Sequence, residues 1–167
     1  MGSKKGVIIT VAVLIGITIA SFMVWIENPT NTEMTIVVTD FENHQEGISE
    51  RHKIISNSIE KSFTQFMNGE IPADEYENIA KNGSSQNNGL LMELAYSDAP
   101  EEWQETYINR IASLKSFEAY IIETMVFSKY YENDDEDFQQ KDELLGNMEK
   151  FKEEYIQYGK MADSSKP

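Results

Sequence analysis

The sequence contains no cysteine, which excludes disulfide bonds and thiolate chemistry. A zinc site would need histidine or carboxylate ligands alone, and the chain has two histidines, His44 and His52. They lie eight residues apart, which is about 12 Å along a helix and too far to hold one metal ion without a bend. We therefore expect no metal site and no cofactor.

Familiar catalytic motifs are missing as well. The sequence has no Gly-x-Ser-x-Gly elbow, no phosphate-binding loop and no Gly-x-Gly-x-x-Gly run. No carboxylate lies alone in an apolar stretch, where burial would raise its pKa and suit it to proton transfer. We expect a protein that is not an enzyme.

Positive charge is scarce. The chain carries 14 basic and 29 acidic residues, and every acidic residue lies at or after Glu27. Since Lys4 and Lys5 precede that point, the remainder has a formal charge of −17. Such a field repels nucleic acid phosphates and anionic lipid headgroups, so nucleic acid is not an expected partner.

One apolar run dominates what the sequence does contain. Residues 6–26 read GVIITVAVLIGITIASFMVWI, without a charge, and a helix of that length spans the bilayer core of about 30 Å. Because Lys4 and Lys5 precede the run, we expect residues 1–5 in the cytoplasm, residues 6–26 as an uncleaved single-pass anchor in membrane lipid, and the remainder outside the cell. The alternative is a cleaved signal peptide, because Thr18-Ile19-Ala20 is a small-residue cleavage site.

The apolar run also has a face of small residues. Ala12, Gly16 and Ala20 are spaced by four, so two spanning helices could approach closely there and form a homodimer. The alternative is that small residues are simply common in spanning helices.

After a polar linker at residues 27–32, the pattern predicts an acidic helical ectodomain over residues 33–162. The first helix carries an apolar stripe and ends near Gly69, before Pro72. Residues 34–39, MTIVVT, are β-branched, but we assign them to this helix because no second strand is predicted to pair with them. The stripe is formed by Phe41, Ile48, Ile55, Ile59, Phe63 and Phe66.

A second helix begins at residues 73–75. Residues 82–89, NGSSQNNG, read locally as a loop. Helical phase nevertheless continues from Tyr76 through Gly83 to Leu94, so we favour one helix that is kinked or frayed there. Asn82-Gly83-Ser84 also fits the N-glycosylation pattern.

A third helix starts at residues 97–102, where Pro100 and acidic residues suit a first turn. A fourth runs from about residue 137 to residue 161, followed by a loose tail at 163–167. The fold class is thus all-α: an N-terminal transmembrane helix followed by an antiparallel bundle of three or four helices. The third stripe comprises Trp103, Tyr107, Ile111, Leu114, Ile121, Met125 and Ser128, widened by Phe117, Ile122 and Phe127. The fourth comprises Phe138, Leu144, Leu145, Met148, Phe151, Tyr155, Tyr158 and Ala162.

An acidic run over residues 133–137 lies between the third and fourth helices. It lacks the central glycine of an EF-hand loop, and Leu144 stands where a bidentate glutamate would be needed. We interpret the run as a solvated loop rather than a cation site.

Two segments resemble small single-span proteins of ammonia-oxidising archaea. They are MGSKKGVIITVAVLIGITIASFMVW at the start and, more distinctively, APEEWQETYINRIASLKSFEAYIIETM. The resemblance covers the anchor and residues 70–130. That group has no assigned activity, so the resemblance implies a location and a fold and supplies no functional residue.

These features favour a non-enzymatic, membrane-anchored extracytoplasmic domain that serves protein interaction, with an envelope protein or a second copy, or envelope structure. The alternative is a sensory domain that binds a small ligand or cation and acts with a membrane partner. A cavity lined by Trp103, Tyr107 and the second helix would favour that alternative.

Overall fold

Four long helices make up most of the part that the structure, a computed structural model, describes: residues 35–132 and 138–167. They are α1 (Phe41–Met67), α2 (Ala73–Ala95), α3 (Gln104–Glu132) and α4 (Phe138–Ser164), with a 3₁₀ turn at Glu101–Trp103 before α3. The predicted all-α class is confirmed for these residues. The predicted anchor at 6–26, its face at Ala12, Gly16 and Ala20, the linker at 27–32 and the acidic run at 133–137 lie outside them.

The contacts between α1 and α2 show that these helices run antiparallel. Arg51 near the start of α1 binds Glu93 near the end of α2, whereas Phe63 late in α1 packs on Tyr76 early in α2, with ring centroids 5.4 Å apart. Because a turn of a few residues joins the two helices, this arrangement is the one expected.

The same reversal continues through α3 and α4. The Thr106 hydroxyl at the start of α3 donates to the Ser165 carbonyl just after α4, and the Ser113 hydroxyl donates to the Tyr155 carbonyl, both at 2.7 Å. Residues 35–167 therefore form one compact up-down-up-down bundle of four helices. Among the described helices, none has the length and apolar character needed to cross a bilayer.

The segment before α1 corrects one prediction. Residues 35–39 are not helical, because the Asp40 carboxylate accepts from the Asn43 backbone N–H at 3.0 Å and caps a helix that begins at Phe41. The Ile36 N–H donates to the Tyr96 carbonyl at 2.8 Å, and Ile36 forms an isolated bridge with Ser97. The β-branched run is therefore extended, and the pairing segment that the sequence did not reveal is the connection between α2 and α3.

The turn between α1 and α2 follows the predicted signals. Gly69 has a φ of 71°, and its N–H donates to the Phe66 carbonyl at 2.9 Å. This left-handed conformation ends the helix and is accessible to glycine at little cost. α2 then begins directly after Pro72.

α2 is one continuous helix through residues 82–89, as favoured from its phase. Gly83 is buried against α1, and a Cβ atom there would lie 2.6 Å from the Ile59 Cδ1 atom. The glycine therefore permits an approach of the two helices that a larger residue would obstruct. The face turned to the bundle consists of Ala73, Tyr76, Ala80, Gly83, Asn87, Leu90 and Leu94.

α3 and α4 depart from the predicted stripes at several positions. Ile122 and Leu145, both predicted to be buried, are 47% and 39% exposed, whereas Tyr120 and Arg110 are buried. α4 extends to Ser164, past the predicted end, because its last residues bind the start of α3 through Thr106 and Arg110. Residues 163–165 therefore belong to the packed bundle rather than to a loose tail.

Two glycines of α2 give a matched test of the close helix approach. We expect Gly83→Ala to lower the free energy of unfolding by about 1 kcal/mol, because the methyl group would overlap the buried Ile59 side chain. Gly89→Ala should raise it by about 0.5 kcal/mol, since that position is open and alanine favours the helix. Urea unfolding of both variants checks this, and equal effects of the two substitutions would contradict it.

Candidate functional site

A groove lies between α1 and α2 on the outside of the bundle. Its floor is aliphatic, and Ile54 at its edge is 68% exposed. The groove encloses about 460 Å³ and is lined by Arg51, Ile54, Ile55, Gln86, Gly89, Leu90 and Glu93. We call this surface the α1–α2 groove.

A second hollow of about 200 Å³ continues the groove toward the start of α2. The two share Ile54, Ile55 and Gln86. From Asn82 to Glu93 the combined furrow follows about 17 Å of α2, or three helical turns. Its α2 side is low at Gly89, which has no side chain and lies beside open space.

The α1–α2 groove is an uncharged surface on a strongly acidic domain. Residues 82–92 form the longest run without a charged residue after the apolar N-terminal stretch, and residues 54–59 of α1 are uncharged too. The exposed side chains along it are amides and hydroxyls beside Ile54, such as Ser58 and Gln86. The charged residues that line the groove are Arg51 and Glu93, which neutralise each other.

A cluster of polar side chains closes one end of the groove. The Arg51 guanidinium donates two hydrogen bonds to the Glu93 carboxylate, at 2.9 and 2.8 Å. His44 bridges this carboxylate to α3, with Nε2 3.1 Å from Glu93 Oε1 and Nδ1 2.8 Å from the Tyr107 hydroxyl. The bidentate contact with Arg51 lowers the pKa of Glu93, with a smaller contribution from His44.

This cluster holds three helices together rather than presenting a reactive atom. Both oxygens of Glu93 are engaged by Arg51, and burial raises the pKa of the Tyr107 phenol, which keeps it neutral. Among the described residues there is no group of three or more potential metal ligands. The geometry therefore favours binding at the groove over chemistry at the cluster.

The two histidines that the sequence singled out lie in different surroundings. His52 is 7% exposed, and its ring meets Phe117 and Tyr155 edge-on, with centroids 4.9 and 5.8 Å apart. Burial lowers the pKa of His52 to about 4, and the nearby positive charge of Arg110 acts in the same direction. His52 is thus a neutral interior ring at physiological pH.

The bundle interior also contains polar ties between α1 and α4. The Tyr155 hydroxyl donates to the Glu60 carboxylate, which accepts from Lys152 at 3.0 Å on the surface side. Burial and the adjacent Glu60 raise the pKa of Tyr155, so its phenol remains protonated. These contacts position α4 against α1.

The other sequence-predicted positions are placed as follows. Asn82 is exposed on the outer face of α2 and lines the second hollow, within a continuous helix. Trp103 and Tyr107 pack against Phe41, with ring centroids 6.3 and 6.2 Å away. The sequence suggested a ligand cavity lined by Trp103, Tyr107 and α2. The α1–α2 groove lies elsewhere, because neither aromatic residue lines it.

Reasoning from helical stripes found the floor residues Ile55 and Leu90 but missed the exposed residues of the groove. Stripe analysis selects buried positions, whereas Ile54, Gln86 and Gly89 lie on the outer sides of their helices. The absence of charge across residues 82–92 was the available signal. Arg51 and Glu93 could not be paired from the sequence because they belong to different helices.

Comparison of the chain with protein families, with curated proteins and with solved structures found no match.

The buried histidine generates a prediction about pH. The folded pKa of His52, about 4, lies below its unfolded value of 6.5, so the unfolded chain binds a proton that the folded chain does not between these values. Stability should therefore fall as pH drops through this window, by about 2 kcal/mol between pH 7 and pH 5. His52→Phe should remove this loss in urea unfolding. The same pH dependence in the variant and the unchanged protein would refute the assignment.

Proposed function

We propose that this chain is a non-enzymatic, membrane-anchored extracytoplasmic domain that binds a helix of another envelope protein in the α1–α2 groove. The observation that carries the proposal is the uncharged character of the groove on a domain whose other surfaces are rich in acidic residues. Cores of protein interfaces are depleted in charged residues, because each charge would have to be desolvated.

The shape of the furrow supports a helical partner. It follows two antiparallel helices for about three turns, and the open position at Gly89 of α2 allows a third backbone to approach there. An amphipathic helix placed in such a groove inserts side chains at intervals of three and four residues. The partner's contacting stripe should carry aliphatic, amide and hydroxyl groups and no acidic residue, since acidic residues would meet the negative field of the domain.

The location in this proposal comes from the sequence. Residues 6–26 act as the single-pass anchor in the lipid, with the N-terminus in the cytoplasm and the bundle outside the cell membrane. A helix-packing face at Ala12, Gly16 and Ala20 belongs to the same proposal. A glycan at Asn82 would fill the second hollow, so it fits only a partner helix that is confined to the α1–α2 groove. The likeness to single-span archaeal proteins of unassigned activity agrees with this location.

A second candidate function is binding of a small uncharged ligand in the same groove. Its volume of about 460 Å³ lies in the range typical of small-molecule sites, which have apolar walls and few polar groups. In that case the domain is a sensory ectodomain and needs a membrane partner to transmit the signal.

Adding one negative charge to the groove tests the protein-binding proposal. Gln86→Glu keeps the size of the side chain but introduces a carboxylate that the partner must desolvate, and we expect capture of the partner from gently solubilised membranes to fall at least tenfold. Gln157→Glu makes the same change on the exposed side of α4, away from the groove, and is the matched control.

Three results would distinguish a protein partner from a small ligand in the α1–α2 groove. A partner protein lost with Gln86→Glu and retained with Gln157→Glu supports the proposal. Equal capture by both variants contradicts it. A small molecule found by mass spectrometry in the unchanged protein and absent from Gln86→Glu would favour the second candidate.

The anchor has its own test. Protease added to intact cells should digest the bundle, and the intact mass of the untreated protein should include residues 1–26. A bundle protected from protease would contradict the proposed orientation, and a mature chain beginning at Ser21 would indicate signal-peptide cleavage instead.

A further inference from the structure

The outer side of α3 carries an apolar stripe with a strict heptad spacing. Its members are separated alternately by four and three residues over more than two heptads, the pattern of a coiled-coil seam. Five of them are apolar, Ile108, Ala112, Ala119, Ile122 and Val126, and the third position is the charged residue Lys115. We call this stripe the α3 seam.

The α3 seam faces away from the bundle core. The residues on the opposite side of α3, Phe117 and Thr124, are fully buried. In the seam, by contrast, Ile108, Ile122 and Val126 are 66%, 47% and 43% exposed. A helix that is apolar on its outer side as well as its inner side is normally covered on both.

The seam is complementary to itself when two copies of α3 run antiparallel. With the helices centred on Phe117, Ile108 lies opposite Val126, and Ala112 lies opposite Ile122. Large side chains therefore meet smaller ones in alternating layers, as knobs-into-holes packing requires. Shifting the register by one heptad would place Ile122 against Glu105 or Val126 against Lys115, whereas in this register Lys115 meets only the small Ala119.

Charge selects the same orientation. In the antiparallel register Glu105, just before the seam, lies opposite Lys129, just after it, at both ends of the contact. Lys129 also pairs with Glu77 of its own bundle, with Nζ 3.6 Å from Oε1, so Glu105 of the second copy would join an existing ion pair. Lys115 then lies opposite Ala119. A parallel pair would instead place Lys115 against Lys115 and Glu105 against Glu105, and like charges directly opposed are destabilising.

We propose that a second copy of this chain covers the α3 seam, forming an antiparallel two-fold dimer. The seam is about 27 Å long and one helix wide, so it buries less area than a standard interface of about 800 Å² per partner. The association should therefore be weak and depend on concentration. The α1–α2 groove lies on other helices, and this inference therefore does not depend on the proposed function.

The absence of cysteine makes the orientation directly testable. Ile108→Cys and Val126→Cys each place a single thiol at an exposed position of the seam in the full-length chain. In the antiparallel dimer these two positions meet across the interface, while two copies of the same position lie about 27 Å apart. Mild oxidation of a mixture of the two variants in detergent should therefore yield a disulfide-linked dimer, and neither variant alone should do so.

Two outcomes would overturn the dimer. Crosslinking of each variant with itself would indicate a parallel contact, and no crosslink in any mixture would indicate that the seam is not paired.

Lysine substitution of one isoleucine in the seam and of one outside it tests the strength of self-association without a disulfide. Ile122→Lys adds a second positive charge to the seam, whereas Ile156→Lys makes the same change at an isoleucine of α4 with similar exposure, 39% against 47%. We expect the first to weaken self-association at least tenfold in sedimentation experiments and the second to leave it unchanged, with equal helix content by circular dichroism. Equal association of the two variants would refute the proposal.

Discussion

α3 contacts each of the other three helices through side-chain hydrogen bonds, and the rest of the bundle is arranged around it. Tyr107 binds His44 of α1, Thr124 accepts the Tyr76 hydroxyl of α2 at 2.6 Å, and Ser113 donates to the backbone of α4. Apolar stripes determine which sides of helices meet, but they permit sliding along the helix axes. These polar contacts fix the register, because a buried donor or acceptor displaced from its partner would cost about 1–3 kcal/mol.

Repulsion among acidic residues limits where such a domain can be bound. A surface of net charge −17 disfavours close contact with anionic partners, and with another copy of itself, except where charge is absent or balanced. The α1–α2 groove satisfies the second condition, because Arg51 and Glu93 pair with each other and its other lining residues are uncharged. The α3 seam is uncharged except at Lys115, and its ends carry charges of opposite sign. The two surfaces lie on different helices, so a partner protein and a second copy could be bound together.

The two histidines illustrate how position determines chemistry for one residue type. His44 lies at the groove end between a carboxylate and a phenol, where it links three helices. His52 lies on the buried face of α1 among aromatic rings, where the charged form is disfavoured. Their spacing excluded a shared metal ion, and the structure gives each of them a separate structural role.

Local chemistry in the sequence was sufficient to determine that the described chain is helical, that it has three or four helices after the apolar run, and where most of them end. Gly69, Pro72 and Pro100 are signals that act within a few residues. The continuity of α2 followed from its phase, which outweighed its turn-like composition. Tertiary structure alone decided the conformation of residues 35–39, because Ile36 pairs with Tyr96 from a distant part of the chain. It also decided that residues 163–165 pack on α3, that Arg51 meets Glu93, and which side of α3 remains exposed. Periodicity placed Leu114, Phe117 and Ile121 correctly on the buried side, but α3 is also apolar on its outer side, so only the packing of the other helices decided that Ile122 stays exposed.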